Sequence, residues 1–295
     1  HNPKVVGSNP TSATKFKKIA AWETGESGPT YPQLEALAEA FKVPIAVFFF
    51  PKPPEVPRIT ESFRTLPAAQ FDEIVPRIRL LLRKAKAFQI SLAELNGGRN
   101  PAARIITRDL RARLDTPVAD LAKQVREFLG ISIDEQRTWP SVEVAVERWR
   151  ASFADVGVYV FKDAFKAPRY AGFCLYDPQF PIIYVNNSAA KERQIFTLFH
   201  ELAHLIFHTS GIDFRSDELL PRLAGDARRI EVLCNRFAGA FLVPDDALSE
   251  AMRGLLANEA TARILARQFN VSWLVVYRRF LDSRLIETRS PARWP

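Results

Sequence analysis

Cysteine is nearly absent: Cys174 and Cys234 are the only two in 295 residues. That is too few for a disulfide framework or a cysteine-rich metal site. Histidine is scarce as well, with four in the chain, one of them residue 1. No apolar run approaches the ~20 residues needed to cross a bilayer. The densest run, Ile45 to Phe50, is stopped by Pro51. The first fifteen residues lack the apolar core of a signal peptide. These absences lead us to expect a cytoplasmic protein with no membrane partner. The remainder is ordinary for a folded chain, at 47% hydrophobic and 25% charged. The length suggests about two domains at roughly 100–200 residues each.

Charge is unevenly spread. The net charge is +8 and the pI near 9.6, a value within the range of nucleic-acid binders. Between Arg77 and Arg113, ten lysines and arginines face only Glu94 and Asp109. A solvated helical face and a surface for nucleic acid or an acidic protein both fit that run.

The first residues have a foreign character. Gly7-Ser8-Asn9-Pro10 back-translates naturally to GGT-TCG-AAT-CCN, which resembles the T arm of a tRNA gene. Such genes are usual integration sites for mobile elements. We therefore expect residues 1–14 to be a start-site or junction product without selected structure, with an ordinary disordered tail as the alternative; sequencing the flanking DNA tests this. Helical spacing begins at Lys15 with Phe16, Ile19 and Ala20. A turn follows at 24–29, and then a helix bearing Leu34, Leu37, Ala38 and Phe41 on one face. Pro51, Pro53, Pro54 and Pro57 make a stiff linker.

Residues 60–150 carry helical periodicity. Ile74, Ile78, Leu81, Leu82, Ala85, Phe88 and Leu92 predict one helix, ended by Asn96-Gly97-Gly98. Val118 to Leu129 predicts a second, closed by Gly130, and Ser141 to Phe153 a third. The period then changes. Val156–Phe161, Gly172–Tyr176 and Ile182–Asn186 are β-branched and aromatic. They predict a small antiparallel sheet, with Asp177-Pro178 starting a turn. Ser188 is the expected N-cap of the next helix, and Glu192 suits its first turn.

That helix contains Phe199-His200-Glu201-Leu202-Ala203-His204, an H-E-x-x-H match. His200 and His204 stand one turn apart and point to one side, so two imidazoles can share a Zn²⁺. Glu201 lies about 100° around the axis. From there it reaches a water on the metal rather than the metal itself, the position of a general base. The competing reading is an amphipathic helix with incidental histidines. The apolar neighbours argue for a buried helix, where unpaired His and Glu are costly. A third ligand must come from elsewhere. His208 lies two turns from His200, about 12 Å along the axis, which suits a supporting or capping role. Glu231 is the better candidate, on a second amphipathic helix where Glu231 and Asn235 share a side; an ordinary surface carboxylate remains the alternative.

Two resemblances add to this. Trp22-Glu23-x-Gly25, Pro29-Thr30, Gln33-Leu34-x-x-Leu37-Ala38 and Val43-Pro44 resemble the second half of an XRE-type helix-turn-helix. The first two helices and most of the recognition helix would fall where the tRNA-like segment lies. That truncation argues against direct DNA binding, which needs the recognition helix in the major groove. From about Gly157 to Ile286 the chain resembles the ImmA/IrrE family of metallopeptidases. The matching stretches are Asn186 to His208, Ile230-Glu231 through Asn235-Arg236-Phe237-Ala238 to Leu242-Val243-Pro244, and Phe269-x-Val271-Ser272 with Arg278-Arg279-Phe280. Ser62-Phe63-Arg64-Thr65 is similar to members fused to an XRE domain. Cys234 departs from the family's usual Ala and would place a soft thiol near the metal. Phe280 stands where Leu is usual.

The resemblance implies an α+β fold: a mainly helical, zincin-like peptidase domain with a small antiparallel sheet packed on the H-E-x-x-H helix. It implies Zn²⁺ held by His200, His204 and Glu231, with Glu201 as catalytic base and Asn235 in a supporting role. It implies an endopeptidase that cleaves an XRE-family repressor in a mobile-element or stress-response locus. A DNA- or protein-binding regulator with little catalysis is the alternative. Zincin substrates commonly add as a strand to a sheet edge, which nominates Ile182 to Val185 as that edge, with Ile183 and Tyr184 as substrate contacts; core packing is the competing role for Tyr184. The expected parts are a foreign segment 1–14, a partial helix-turn-helix 15–50, a linker and helical region 51–150, and the peptidase domain 151–295.

Overall fold

The computed structural model describes residues 19–41, 45–49, 74–110, 112–214, 223 and 225–286. The expected foreign segment, the proline linker and Ser62-Phe63-Arg64-Thr65 lie outside them. The chain divides into two units, 1–57 and 58–295.

In the first unit, a turn at 24–27 with Gly25 at φ 78° leads to α1 (Tyr31–Phe41), where Pro32 occupies the first turn. A 3₁₀ turn follows at Ile45–Phe49. Ala38 is the one buried residue of α1, and Tyr31, Phe41 and Phe49 are exposed.

The second unit is built in layers around a sheet. Its elements are α2 (Pro76–Leu95), α3 (Ile106–Asp109), α4 (Val118–Leu129), α5 (Ile133–Thr138), α6 (Val142–Asp155), β1 (Tyr159–Asp163), β2 (Tyr170–Leu175), β3 (Ile182–Asn186), α7 (Lys191–Ile206), β4 (Ile212–Phe214), α8 (Gly225–Leu242), α9 (Asp245–Ala251), α10 (Glu259–Phe269) and α11 (Trp273–Asp282). Sequence signals explain most boundaries. Gly97 and Gly98 end α2 at positive φ, and Gly130 caps α4 in the left-handed region. Ser141 caps α6 by accepting from the Val144 N–H.

Two expectations shift. The first strand begins at Tyr159 rather than Val156, because Gly157 at φ 77° terminates α6. Its N–H donates to Ala154 O and that of Val158 to Phe153 O. Residues 156–158 thus serve the helix end. Likewise α7 starts after Ala190, with no side-chain cap, instead of at Ser188. The Asn186 side chain has taken over the turn, accepting from the Ser188 N–H.

The sheet is mixed, in the order β1-β3-β2-β4, where an antiparallel sheet was expected. β2 pairs antiparallel with β3 and β4, but β1 and β3 run parallel, Tyr159 opposite Ile182. The chain reverses between β1 and β2 and again before β3, so inserting β3 beside β1 makes that pair parallel. Asp177 makes the β2–β3 turn, its Oδ1 accepting from the Gln179 and Phe180 N–H groups.

β2 and β3 are buried along their whole length, because both sheet faces are covered. Ile183, Val185 and Cys174 share a core with α7. Phe173, Tyr184, Ile182 and Leu175 share one with Ile78, Leu81, Leu82 and Ala85 of α2. The described helices between 76 and 155 therefore belong to the same compact unit as residues 151–295 rather than to a separate region. Trp149 of α6 anchors the main core, edge-on to Trp139 and Phe199 at 4.8 Å each, while Phe199 stacks on Phe241 of α8 at 4.1 Å.

The basic run is largely satisfied internally. Arg77 and Lys84 both pair with Asp163, Arg108 with Asp109 and Arg113 with Asp115, and Arg104 lies over the Phe128 ring. No helix among the described residues is long and apolar enough to cross a membrane.

Candidate metal centre

Every residue of α7 from Gln194 to Ile206 is buried. Its apolar positions all pack into the main core, and its polar residues are buried with them. His200 and His204 meet there, their Nε2 atoms 3.3 Å apart. α8 brings Glu231 against both: Oε2 lies 3.4 Å from His200 Nε2 and Oε1 lies 3.1 Å from His204 Nε2. The three donor atoms lie within 4.8 Å of one another.

The surrounding hydrogen bonds set the proton on each ring. His200 Nδ1 is 3.0 Å from the Asn235 carbonyl oxygen, an acceptor, so Nδ1 carries the proton and Nε2 presents a lone pair. The Thr209 hydroxyl donates to His204 O and lies 3.1 Å from His204 Nδ1, so it accepts from that nitrogen. Both Nε2 lone pairs and a carboxylate thus converge on one buried point. Three electron-pair donors facing each other without a cation repel; a bound metal resolves the repulsion, so the donor set fits a metal ion.

The electrostatics agree. Burial by itself would raise the Glu231 carboxyl, but the two imidazoles hold it well below the usual carboxylate range. Burial disfavours the His200 imidazolium, yet Asp213 and Glu231 raise its pKa above the ordinary value. Glu201 stands apart from the three donors. It is fully buried, neither carboxylate oxygen has a hydrogen-bond partner, and burial pushes its pKa up to about 8. An unpaired buried carboxyl beside a cation site is an arrangement for moving protons.

Residues that the sequence reading had not singled out complete the pocket. Gly211 opens the return to β4, and a Cβ there would lie 2.7 Å from the His204 ring. Only glycine lets the backbone pass. Asp213 of β4 accepts from Arg193 at 2.9 Å on both oxygens and from Thr197 at 2.8 Å, which ties β4 to α7. A strand-opening glycine is a weak signal of close approach. Thr209 and Asp213 carried none, because their partners are reached only through the loop after α7.

Other expected residues lie elsewhere. His208 turns away at φ 56°, with Nε2 3.1 Å from Thr107 O and its ring 4.8 Å from Tyr176. The 182–185 segment is a central strand, not an edge; the ends of the sheet are β1 and β4. Ile183 and Tyr184 are buried. Tyr184 stacks on Phe173 at 5.0 Å on the side away from α7. Cys234 is fully buried, and burial raises its thiol pKa well above normal, so it is held as an inert thiol.

Residues 153–281 match the family model for the IrrE N-terminal-like domain. This part of the chain is similar to the IrrE N-terminal-like domain family. The chain is 33% identical over 99 residues to the radiation response metalloprotease IrrE of Deinococcus deserti, covering 33% of this chain and 34% of that protein. Identity to the radiation response metalloprotease IrrE of Deinococcus radiodurans is 32% over 99 residues, covering 33% and 30%. The chain thus spans about a third of the length of these curated ImmA/IrrE relatives. A Mycobacterium tuberculosis transcriptional regulator of known structure aligns with 60% of this chain and 48% of its own, at 21% identity and a TM-score of 0.36.

Proposed function

We propose that this chain is a zinc-dependent endopeptidase in which His200, His204 and Glu231 hold the metal and Glu201 is the general base. The convergence of two Nε2 lone pairs and one carboxylate on a buried point supports this reading. Two imidazoles and a carboxylate are a zinc set with a fourth position open. When bound, zinc supplies a Lewis acid that makes water nucleophilic near neutral pH and polarises a carbonyl.

The chain's own groups do the rest. Asn235 and Thr209 fix the two rings. Glu201 takes the proton from the attacking water and hands it to the leaving amine. The raised pKa of Glu201 in the metal-free chain falls beside a bound cation, which frees its carboxylate for the first transfer. Cleavage of a peptide bond then needs an extended backbone beside the metal. β4, which ends the sheet among the described residues, is the suitable edge, because Gly211, leading into it, abuts His204. This replaces the 182–185 segment as the proposed substrate strand.

We take the substrate to be a helix-turn-helix repressor encoded in the same mobile-element or stress-response locus. The family resemblance and the XRE-like residues near the N-terminus support that choice. The alternative, a binding module with little catalysis, rests on the helix-turn-helix remnant and the basic run, four of whose ten cations pair with internal carboxylates. Zinc content of the purified chain tests the proposal. About one zinc per wild-type chain, lost or weakened in Glu231→Ala, is expected. No zinc after reconstitution would overturn it in favour of the binding module.

A further inference from the structure

α8 carries chemistry on two sides. Glu231 and Asn235 turn toward the histidines of α7. Arg229, Val232, Leu233, Arg236 and Ala240 recur at three- and four-residue spacing on another side. With the 114–119 segment they line a groove of about 970 Å³.

The groove's charges do not balance internally. Its carboxylates are already engaged: Asp115 with Arg113 at 3.1 Å, Asp245 with Arg279 at 2.6 Å, and Asp282 with Arg278 at 3.4 Å and Arg279 at 3.5 Å. Arg228 and Arg236 have no hydrogen bond or ion pair among the described residues. Arg229 donates to the Leu114 carbonyl at 3.5 Å and shares the charge of Asp115 with Arg113. Two unpaired guanidiniums and the partly engaged Arg229 therefore line a concave surface walled by Val118, Val232 and Leu233. Low-dielectric walls focus such a field. Guanidinium forks match phosphate oxygens in pairs, and the apolar wall suits a ring system. The volume sits near the upper end of the roughly 300–1,000 Å³ usual for small-ligand sites.

We propose that this groove binds a small phosphorylated ligand with an apolar ring, of the nucleoside di- or triphosphate class. Arg228, Arg229 and Arg236 take the phosphates, and Val118, Val232 and Leu233 take the ring. On the zinc-peptidase reading above, the site is regulatory, because the helix that would grip the ligand also supplies Glu231.

Calorimetric titration of the full chain with ATP, without zinc or peptide, tests the binding independently of any peptidase activity. Saturable one-to-one binding at physiological salt is expected. Adenosine alone and inorganic triphosphate alone should each bind at least about tenfold more weakly. Arg228→Ala with Arg236→Ala should weaken ATP at least about tenfold, as should Arg236→Glu alone. Arg253→Ala, an exposed position outside the groove, should leave it unchanged. Absence of saturable binding, or equal affinity in the groove variants with native circular dichroism, would overturn the site. Displacement of ATP by a duplex DNA oligomer that binds more tightly would overturn it in favour of a polynucleotide surface. For the regulatory role, ATP should slow zinc loss to a chelator several-fold in the wild type; an unchanged rate would overturn that role while leaving the site.

Discussion

The two faces of the four-stranded sheet are equally buried but built differently. Toward α2 the sheet offers aromatic rings: Phe173 stacked on Tyr184 within 7° of parallel, with Phe161 and Phe165 beside them. Toward α7 it offers small or thin side chains, among them Gly172 and Cys174. A Cβ at Gly172 would strike the Thr197 methyl at 2.4 Å and approach the Glu201 side chain at 3.9 Å. The aromatic face is a stability device. The thin face lets a helix loaded with His, Glu and Thr come close enough for its polar groups to be held by position rather than by water. One sheet separates the work of folding from the work of chemistry.

Substitutions on each face should therefore fail in different ways. On the proposed function, the largest effect is expected from Glu201→Gln, which keeps the shape and removes the proposed proton carrier. Repressor cleavage should fall by about 10²–10⁴, with zinc content and melting temperature close to wild type. If cleavage survived intact, the separation of roles would break. Next is Phe173→Ala on the opposite face. Emptying that position should cost about 3–5 kcal/mol and lower the melting temperature by about 10 °C, while the folded fraction still binds zinc.

A pH effect sharpens the contrast further. In the metal-free chain Glu201 keeps its proton to about pH 8, against an ordinary value of 4.5. The folded state binds more protons than the unfolded state between those values, so stability falls as pH rises through that window. The raised His200 pKa acts in the same direction from about 6.5 upward. The lowered Glu231 pKa contributes stability that is lost only as pH falls below 4.5. With chelator present, the wild type should melt several degrees lower at pH 8 than at pH 5.5, and Glu201→Gln should remove most of that slope; the Phe173→Ala chain should keep it. The smallest effect is expected from Tyr184→Phe. It removes a hydroxyl that interacts electrostatically with Lys84, should cost at most about 1 kcal/mol, and should leave cleavage unchanged. A large loss of activity there would return Tyr184 to the substrate.

What the sequence disclosed follows from how local each feature is. His200, Glu201 and His204 were legible because one helix fixes their mutual geometry. Helix ends at Gly97, Gly130 and Ser141 were legible because capping is decided within a turn. Glu231 needed the family resemblance, since nothing local tells one acidic helix residue from another. The parallel β1–β3 pairing, the central place of β3 and the covering of the sheet by α2 were hidden, because strand order is decided by distant packing. Thr209, Gly211 and Asp213 were missed for the same reason: each matters only after the chain has doubled back onto α7. Ser188 misled because the Asn186 side chain claimed the turn first.

The cover that α2 provides has a practical consequence. A fragment beginning at residue 151 would retain every proposed metal ligand yet lose Ile78, Leu81, Leu82 and Ala85, the residues that roof the aromatic face. Phe161, Phe173, Leu175 and Tyr184 would then form a bare oily sheet. Such a fragment is expected to emerge from expression as aggregate. The smallest soluble version of this unit should start before Ile74.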